Sequence, residues 1–528
     1  MTQKDQNRKL VRSTFAVSLP TFISRILGYL RDMLQAFFLG TSFSADAFAM
    51  AYVIPNLLRR LTGEGAMTAA FIPVFTQLKK EKTKKELWRF ANSFFYDLTL
   101  VMTLVVVLGI VFAPLLVKLI AFGFGEVQGK WELTILLTRI MFPYIFLVSL
   151  AALAMAILNS FKKFFVPAFT PVLFNLSIIT IAVLFAPKAE EPAVVFAVGV
   201  VVGGIFQLAF QLPFLRRKGM RFRFGLTFTH PAVRKVGRLM VPGVFAVGIY
   251  QINFAISRTF ASFLKEGSVA SLYYASRVQE VTLGLFSIAL SIALLPTFSE
   301  LAAQKEIQSM KKTLVFSLRL IFFITFPAMV GLLVLNHPII EVLFERGVFD
   351  AKSTAMSASC LFYFALGIPF ISGVKIFTPA FYSLKDTKTP VKVAFLVMIS
   401  YIVFSLVLMN PMKVEGIALA LSLASLLNFA ALFYLLERKI GKVPKKEIGV
   451  SALRSVLPSL GMGGAVWFFI KLFDFDELVF LEKLGALLAS ILLGVMIYVL
   501  LSLIFNSEAL VHFKDMFSRK KILKGDQE

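Results

Sequence analysis

Ten charged residues sit inside long apolar stretches of this sequence: Arg25, Arg31 and Asp32; Arg59, Arg60 and Glu64; Arg258; Arg277 and Glu280; and Lys375. Facing lipid at mid-bilayer, each would cost roughly 2.5–3.5 kcal/mol, and the set on the order of 25–35 kcal/mol. That exceeds the net stability of a typical domain, so these groups must line a polar cavity, pair with one another or reach an interface. Spacing sorts them. Arg277 and Glu280, and likewise Arg60 and Glu64, lie within one helical turn and can pair. Arg25 and Asp32 share a helix face. Gly28 lies between Arg25 and Arg31, where a bend would aim both inward. Gly63 and Gly65 flank Glu64, which predicts a broken helix of the kind that lines substrate sites at membrane depth. For Arg60 and Arg258, snorkelling to the interface is an equally good account. The sign of the set points to its chemistry. Seven cations face three carboxylates; a guanidinium surplus suits an anion, and the planar fork matches phosphate at two points.

Other chemistries find little support. His230, His337 and His512 are far apart and Cys360 is the lone cysteine, so no metal site, cofactor or disulfide within the chain is expected. No cluster of carboxylates or histidines at a membrane face suits metal-assisted phosphoryl transfer, and an enzyme is not expected. The net charge of +25 could suggest nucleic acid, but the basic residues sit at the ends of apolar spans, where the positive-inside rule puts them.

The elements that position these residues follow from composition. Of 528 residues 58% are hydrophobic, with a mean hydropathy of +0.81, against roughly 45–50% apolar in soluble domains. Stretches long enough to cross a bilayer fall near 13–38, 45–78 (broken), 90–121, 133–159, 165–186, 192–215, 236–263, 268–302, 313–335, 355–384, 390–410, 413–436, 449–472 and 483–505, about fourteen spans. Alternate connections are basic: Lys79 to Arg89; Lys162 and Lys163; Arg216 to Arg238; Lys305, Lys311 and Lys312; Lys385, Lys388 and Lys392; Arg438 to Lys446. Those between them, which carry Asp46, Glu126, Glu190, Glu266, Glu415 or Asp474, are basic-poor. This alternation predicts a multi-pass membrane protein with both termini cytoplasmic. The polar, basic N-terminus gives no sign of a cleavable leader.

An internal repeat is visible. Pro73-Val-Phe-Thr-Gln-Leu78 resembles Pro296-Thr-Phe-Ser-Glu-Leu301; Pro20 matches Pro242; Pro114 and Gly123 match Pro338 and Gly347; Ser160-Phe-Lys with Pro167 matches Ser383-Leu-Lys with Pro390. Every pair is offset by 222 to 224 residues. The expected fold is therefore an all-α integral membrane protein with two six-helix halves, 1–222 and 223–440. An even number of spans per half makes the repeat parallel, about a pseudo-two-fold axis along the membrane normal, with the substrate site where the halves meet. An extra helix pair, 441–510, and a basic cytoplasmic tail, 511–528, complete the chain.

At the charged residues the sequence resembles the lipid II flippases of the MurJ (MviN) type, within the multidrug/oligosaccharidyl-lipid/polysaccharide exporter superfamily. The resembling stretches are Ser24-Arg-Ile-Leu-Gly-Tyr-Leu-Arg-Asp32, Asp46-Ala-Phe, Pro55-Asn-Leu-Leu-Arg-Arg60, Gly63-Glu-Gly-Ala66, Tyr273-Tyr-Ala-Ser-Arg277, Leu343-Phe-Glu-Arg-Gly347, and Pro379-Ala-Phe-Tyr with Asp386-Thr-Lys-Thr-Pro390. The resemblance implies a place in a bacterial cytoplasmic (inner) membrane, alternating access and export of the undecaprenyl-pyrophosphate-linked peptidoglycan precursor, lipid II; a flippase for another lipid-linked oligosaccharide is the alternative. It places functional positions on Arg25, Arg31, Asp46, Arg59, Arg277, Glu280 and Lys375. The family often has an acidic residue where this chain has Ser276. Some members are thought to bind sodium through carboxylates in spans 7 and 11, but 239–263 and 391–410 contain no Asp or Glu, so no such site is expected. Implied partners are the anionic lipid-linked substrate and membrane lipids, with peptidoglycan synthesis proteins as further candidates and no nucleic acid.

Overall fold

The computed structural model describes residues 3–62, 66–222, 230–475 and 477–505, with side chains described throughout except at 3–16, 58, 60–62, 66, 69, 126, 241–254, 285, 286 and 289. No strand occurs among the described residues. An apolar chain in lipid must satisfy its backbone N–H and C=O groups internally, and helices do so within each segment.

Each expected span falls on helix, though several are divided. The first is α1 (Gln3–Leu39), and the second splits into α2 (Phe43–Ala51), α3 (Val53–Thr62) and α4 (Ala66–Glu81). The expected break at Gly63–Gly65 lies outside the described residues. The third span is α5 (Lys84–Val111) with α6 (Ala113–Ile120), and the fourth is α7 (Lys130–Met141) with α8 (Pro143–Ser160). Pro114 and Pro143 sit in the first positions of α6 and α8, where a missing N–H costs nothing. Next come α9 (Phe165–Phe185), α10 (Pro192–Arg217), α11 (Pro231–Ala261), α12 (Ser268–Ala303) and α13 (Ile307–Phe344). The tenth span is α14 (Ala351–Ala365) and α15 (Ile368–Ser383), bent by 46°. The eleventh and twelfth run together in α16 (Lys388–Ile440), whose two arms turn at Lys413, with φ 53° and ψ −129°. The last two are α17 (Lys445–Ile470) and α18 (Phe480–Ile504).

Among the described residues, eight helical stretches are long and apolar enough to cross a membrane, or nine with the bent α14–α15 pair. The helices carrying most of the charged candidates, α1, α2 to α4, α11 and α12, fall outside that set.

Contacts divide the chain into two units, Met1–Ala270 with Arg346–Asp350, and Ser271–Glu345 with Ala351–Glu528. In the first, α9 packs on α1 and α10, α2 on α7, and α4 on α8 and α11. Its core includes Phe71, Phe75, Phe90 and Leu153. In the second, α13 packs on α14, α15 and α17, and α17 on α18. One core there gathers Phe298, Leu318, Phe377 and Leu436; another joins Val330, Met462, Val466 and Tyr498. Gly463 lets α17 approach α13 closely, since a Cβ there would lie 2.5 Å from Val330 Cγ1.

Three inter-helix turns share a conformation. Lys162 and Lys385 each adopt φ 58° and Lys305 φ 60°. The following N–H in each turn closes a six-residue loop, from Lys163 to the Leu158 carbonyl, from Glu306 to the Leu301 carbonyl and from Asp386 to the Phe381 carbonyl, the pattern of a helix C-terminus capped by a left-handed residue.

Candidate functional site

In the first unit, α1 carries Arg25, Arg31 and Asp32. Arg25 is exposed and Asp32 is buried. Arg31 donates to Asp32 Oδ1 from Nε at 3.1 Å and from its Nη2 at 2.7 Å. Its Nη1 donates to Asn175 Oδ1 at 3.1 Å. Asn175, on α9, donates in turn to the Ser24 carbonyl at 3.0 Å, so one amide ties the Arg31 guanidinium to the backbone of its own helix. A Cβ built on Gly28 would lie 3.7 Å from Asn175 Nδ2, ordinary van der Waals contact, so the amide packs against this stretch of α1. Sequence reasoning missed Asn175, although an amide within an apolar span is itself a signal.

Arg59 donates to Asn56 Oδ1 from Nη2 at 3.1 Å, one turn back on α3. Arg60 has no described side chain and Glu64 lies outside the described residues, so the expected Arg60–Glu64 pair does too. Arg258, on α11, donates to the Ala49 carbonyl at 3.2 Å. That carbonyl is in the last turn of α2, where orphan acceptors and the helix dipole favour a cation.

Asp46 departs from its expected setting. Read as part of a basic-poor external connection, it is buried in the first turn of α2, behind the Ser42 N-cap. Its side chain is 1% exposed, and Lys130 Nζ lies 2.7 Å from Oδ2 with its own side chain 3% exposed. The Gly267 N–H donates to Oδ2 and the Ala270 N–H to Oδ1, both at 2.8 Å. Lys130 also stands over the Phe124 ring, 4.2 Å from its centroid. The carboxylate thus ties α2 to the start of α7 and to the turn that opens α12.

In the second unit, Arg277 and Glu280 pair as their spacing predicts, with Nη1 to Oε2 at 2.8 Å. Arg277 Nη2 donates to the Tyr273 hydroxyl at 3.2 Å, and the guanidinium lies 4.7 Å from that ring's centroid. Ser276, where the family often has an acid, donates to the Tyr273 carbonyl at 2.7 Å. Lys375 is half-buried on α15. At the α15–α16 turn, Asp386 accepts from the Thr389 N–H at 3.0 Å, the Thr389 hydroxyl at 2.7 Å and Lys439 at 2.6 Å. The Lys439 ammonium, helped by Thr389, holds this carboxyl well below its usual range.

Within each unit, then, cations on apolar helices are oriented by short polar partners. Among candidates with described side chains, Arg25, Arg31, Arg59, Arg258, Arg277 and Lys375 stand against Asp32 and Glu280, since Asp46 is neutralised by Lys130. A surplus of guanidinium groups is the kind of chemistry that suits a polyanion.

Comparison with known proteins gives a consistent picture. A family model described as "Lipid II flippase MurJ" matches residues 35–485. The probable lipid II flippase MurJ of Vibrio cholerae serotype O1 is 35% identical over 473 residues, covering 87% of this chain and 89% of that one. The lipid II flippase MurJ of Burkholderia cenocepacia is 35% identical over 434 residues, covering 81% and 84%. Among solved structures, a lipid II flippase MurJ in an inward closed conformation superposes with a TM-score of 0.78 at 29% identity, covering 95% of this chain and 99% of that chain. An inward-facing transporter of the multidrug MATE family, at 11% identity and a TM-score of 0.67, shares the fold.

Proposed function

We propose that this chain, which belongs to the lipid II flippase MurJ family, moves lipid II across the cytoplasmic membrane by alternating access through a central cationic cavity. It is a multi-pass membrane protein of a transporter family, and its role in building peptidoglycan follows from the substrate. Arg25, Arg31, Arg59 and Arg277 present guanidinium groups to the substrate diphosphate, with Lys375 adding charge and Asp32 and Glu280 orienting their neighbours. One observation carries this reading: three of these guanidinium groups are held in place by side chains packed beside them, Arg31 by Asp32 and Asn175, Arg59 by Asn56, and Arg277 by Glu280 and Tyr273. A pre-oriented donor loses less freedom when the anion arrives. Glu64 and Arg60 are assigned to the same site by their place within an apolar stretch of the sequence alone. Arg258 acts on the fold, through α2.

The architecture proposed is fourteen spans, two parallel six-helix halves and the extra pair α17–α18, with both termini cytoplasmic. One observation supports the repeat. The loops at Gly123 and Gly347 each press on the end of a helix about 224 residues removed from the other's, with built Cβ atoms 2.3 Å from the Ser262 carbonyl and 2.5 Å from the Phe37 carbonyl. The pair α17–α18 presents exposed Leu457, Leu460, Leu488 and Leu492, a surface for the polyprenyl tail while the head group crosses. Proteins of peptidoglycan synthesis are the candidate partners.

The decisive experiment measures translocation of lipid II and of other lipid-linked oligosaccharides in vesicles. Lipid II should cross, and Arg25→Ala, Arg31→Ala or Arg277→Ala should abolish both crossing and complementation of a flippase-deficient strain at unchanged protein level. Full activity in one of these variants would remove that residue from the site.

A further inference from the structure

We propose that a cavity in the second unit, where the first turns of α13 meet the start of α17, binds the phosphate of a membrane-lipid head group. The cavity has a volume of about 450 Å³. Lys311, Lys312 and Arg319 reach it from one face of α13, and Lys442 from the segment joining α16 to α17. The α13 residues share that face because they recur at helical spacing. Gly441 shapes the joint. It adopts φ 85°, and a Cβ on it would lie 3.1 Å from Lys311 Nζ, so a bare backbone lets the ammonium close against the turn. Four cations therefore meet one lining carboxylate, Glu447, and Arg319 already holds it at 2.7 Å. Glu437, the other carboxylate near this joint, is held by Lys445 at 2.7 Å.

The lining is also amphipathic. Val315 is buried, Leu320 is half-buried one turn beyond Phe316, and Phe316 is 45% exposed. Cations at the rim and an apolar floor along the helix suit a phosphate with a hydrocarbon chain attached better than a free anion. Basic pockets between helices on the cytoplasmic side hold anionic head groups in this way. None of these residues belongs to the arginine set assigned to the transport cavity. Lipid phosphate can come from two sources: a resident anionic phospholipid, or the diphosphate of the polyprenyl-linked substrate waiting in the leaflet from which it is loaded. Placing the site in the cytoplasmic leaflet rests on the orientation proposed above.

The test uses the full chain in phosphatidylcholine bilayers with a photoreactive group at position 316. Headgroup-labelled phosphatidylglycerol, undecaprenyl diphosphate and phosphatidylcholine are offered in turn, and crosslinks are sought in the peptide beginning at Ile307. Crosslinking of either anionic lipid, saturable and well above that of phosphatidylcholine, supports the site, and the lipid that competes away the other is its source. The double variant Lys312→Gln/Lys442→Gln should weaken the signal roughly thirtyfold, since each basic residue near a charged surface contributes about fivefold. Both lysines are exposed; an unchanged unfolding midpoint shows the variant folded. Equal crosslinking of all three lipids, or suppression by inorganic pyrophosphate as strong as by the lipids, would overturn the proposal. A cysteine at 442 labelled from each side of oriented vesicles reads the sidedness separately. Labelling from the outer face with anion-selective crosslinking intact would refute the orientation and leave the site standing.

Discussion

Replacing Lys130 by methionine tests whether the Asp46–Lys130 pair holds the fold or serves the substrate. The side chains are 3% and 1% exposed, so water cannot take over the lost partner. Removing one member of a buried pair costs about 3–5 kcal/mol. Asp46 keeps the Gly267 and Ala270 N–H donors at 2.8 Å, and hydrogen bonds to a charged group contribute about 1.5–3 kcal/mol each; Lys130→Met should therefore sit near the low end, about 3 kcal/mol. Asp46→Asn is worse. It strands a buried ammonium and leaves one of the two N–H groups without an acceptor, a further cost of about 1–3 kcal/mol. The double variant Asp46→Asn/Lys130→Met loses only that last amount and should be more stable than Asp46→Asn by about 3–5 kcal/mol. Denaturant unfolding in detergent, followed by the fluorescence of Trp131 beside Lys130, measures all three. A Lys130→Met protein as stable as the parent, or a double variant no better than Asp46→Asn, would refute the reasoning. Translocation by the double variant then settles the role: a stable protein that does not flip would mean that the charge of Asp46 acts in transport.

Other outcomes follow from single contacts. Asn175→Leu removes the acceptor of Arg31 Nη1 and should slow translocation roughly tenfold at normal protein level; an unchanged rate would remove Asn175 as a positioning residue. Gly347→Ala places a Cβ 2.5 Å from the Phe37 carbonyl at φ 61° and should cost at least about 1–3 kcal/mol, read as a fall in unfolding midpoint. Asp386 is lowered by Lys439 and Thr389, so its stabilisation is complete above the unfolded carboxylate pKa of about 4 and fades as pH falls through the lower folded value. Asp386→Asn should accordingly cost the same at pH 8 as at pH 5, with the difference from the parent shrinking below about pH 4; a penalty that grows with acidity would contradict this.

Spans were legible because an apolar run of sufficient length needs nothing else to declare itself. Their divisions were harder to read. Pro114 and Pro143 open helices, yet Pro20 and Pro73 lie inside them, because other groups in a membrane bundle can satisfy the freed carbonyl. The sequence therefore could not say which proline ends a helix. At the site, Arg277–Glu280 was readable as neighbours on one turn. The amide that holds Arg31 and the lysine that holds Asp46 lie 144 and 84 residues away, where no local pattern reaches. Asp46 misled because an acid in a basic-poor connection reads as solvated, whereas α2 begins there and buries it. Arg258 was ambiguous for another reason: its acceptor is a backbone carbonyl, and residue types do not reveal which carbonyl a helix leaves open.

The turn at Lys413 bears on any attempt to map sidedness with gene-fused reporters. The arms of α16 meet without an intervening loop, and a Cβ on Gly416 would fall 2.3 Å from the Leu408 carbonyl. A tag spliced in there would prise the arms apart, and its accessibility would describe a damaged hairpin. The connection from α17 to α18 has no such constraint at its ends, where Leu472 is 65% and Val479 62% exposed. Exposed connections absorb insertions far better than tight ones, so a reporter placed there can state which compartment it faces while the surrounding helices stay in register.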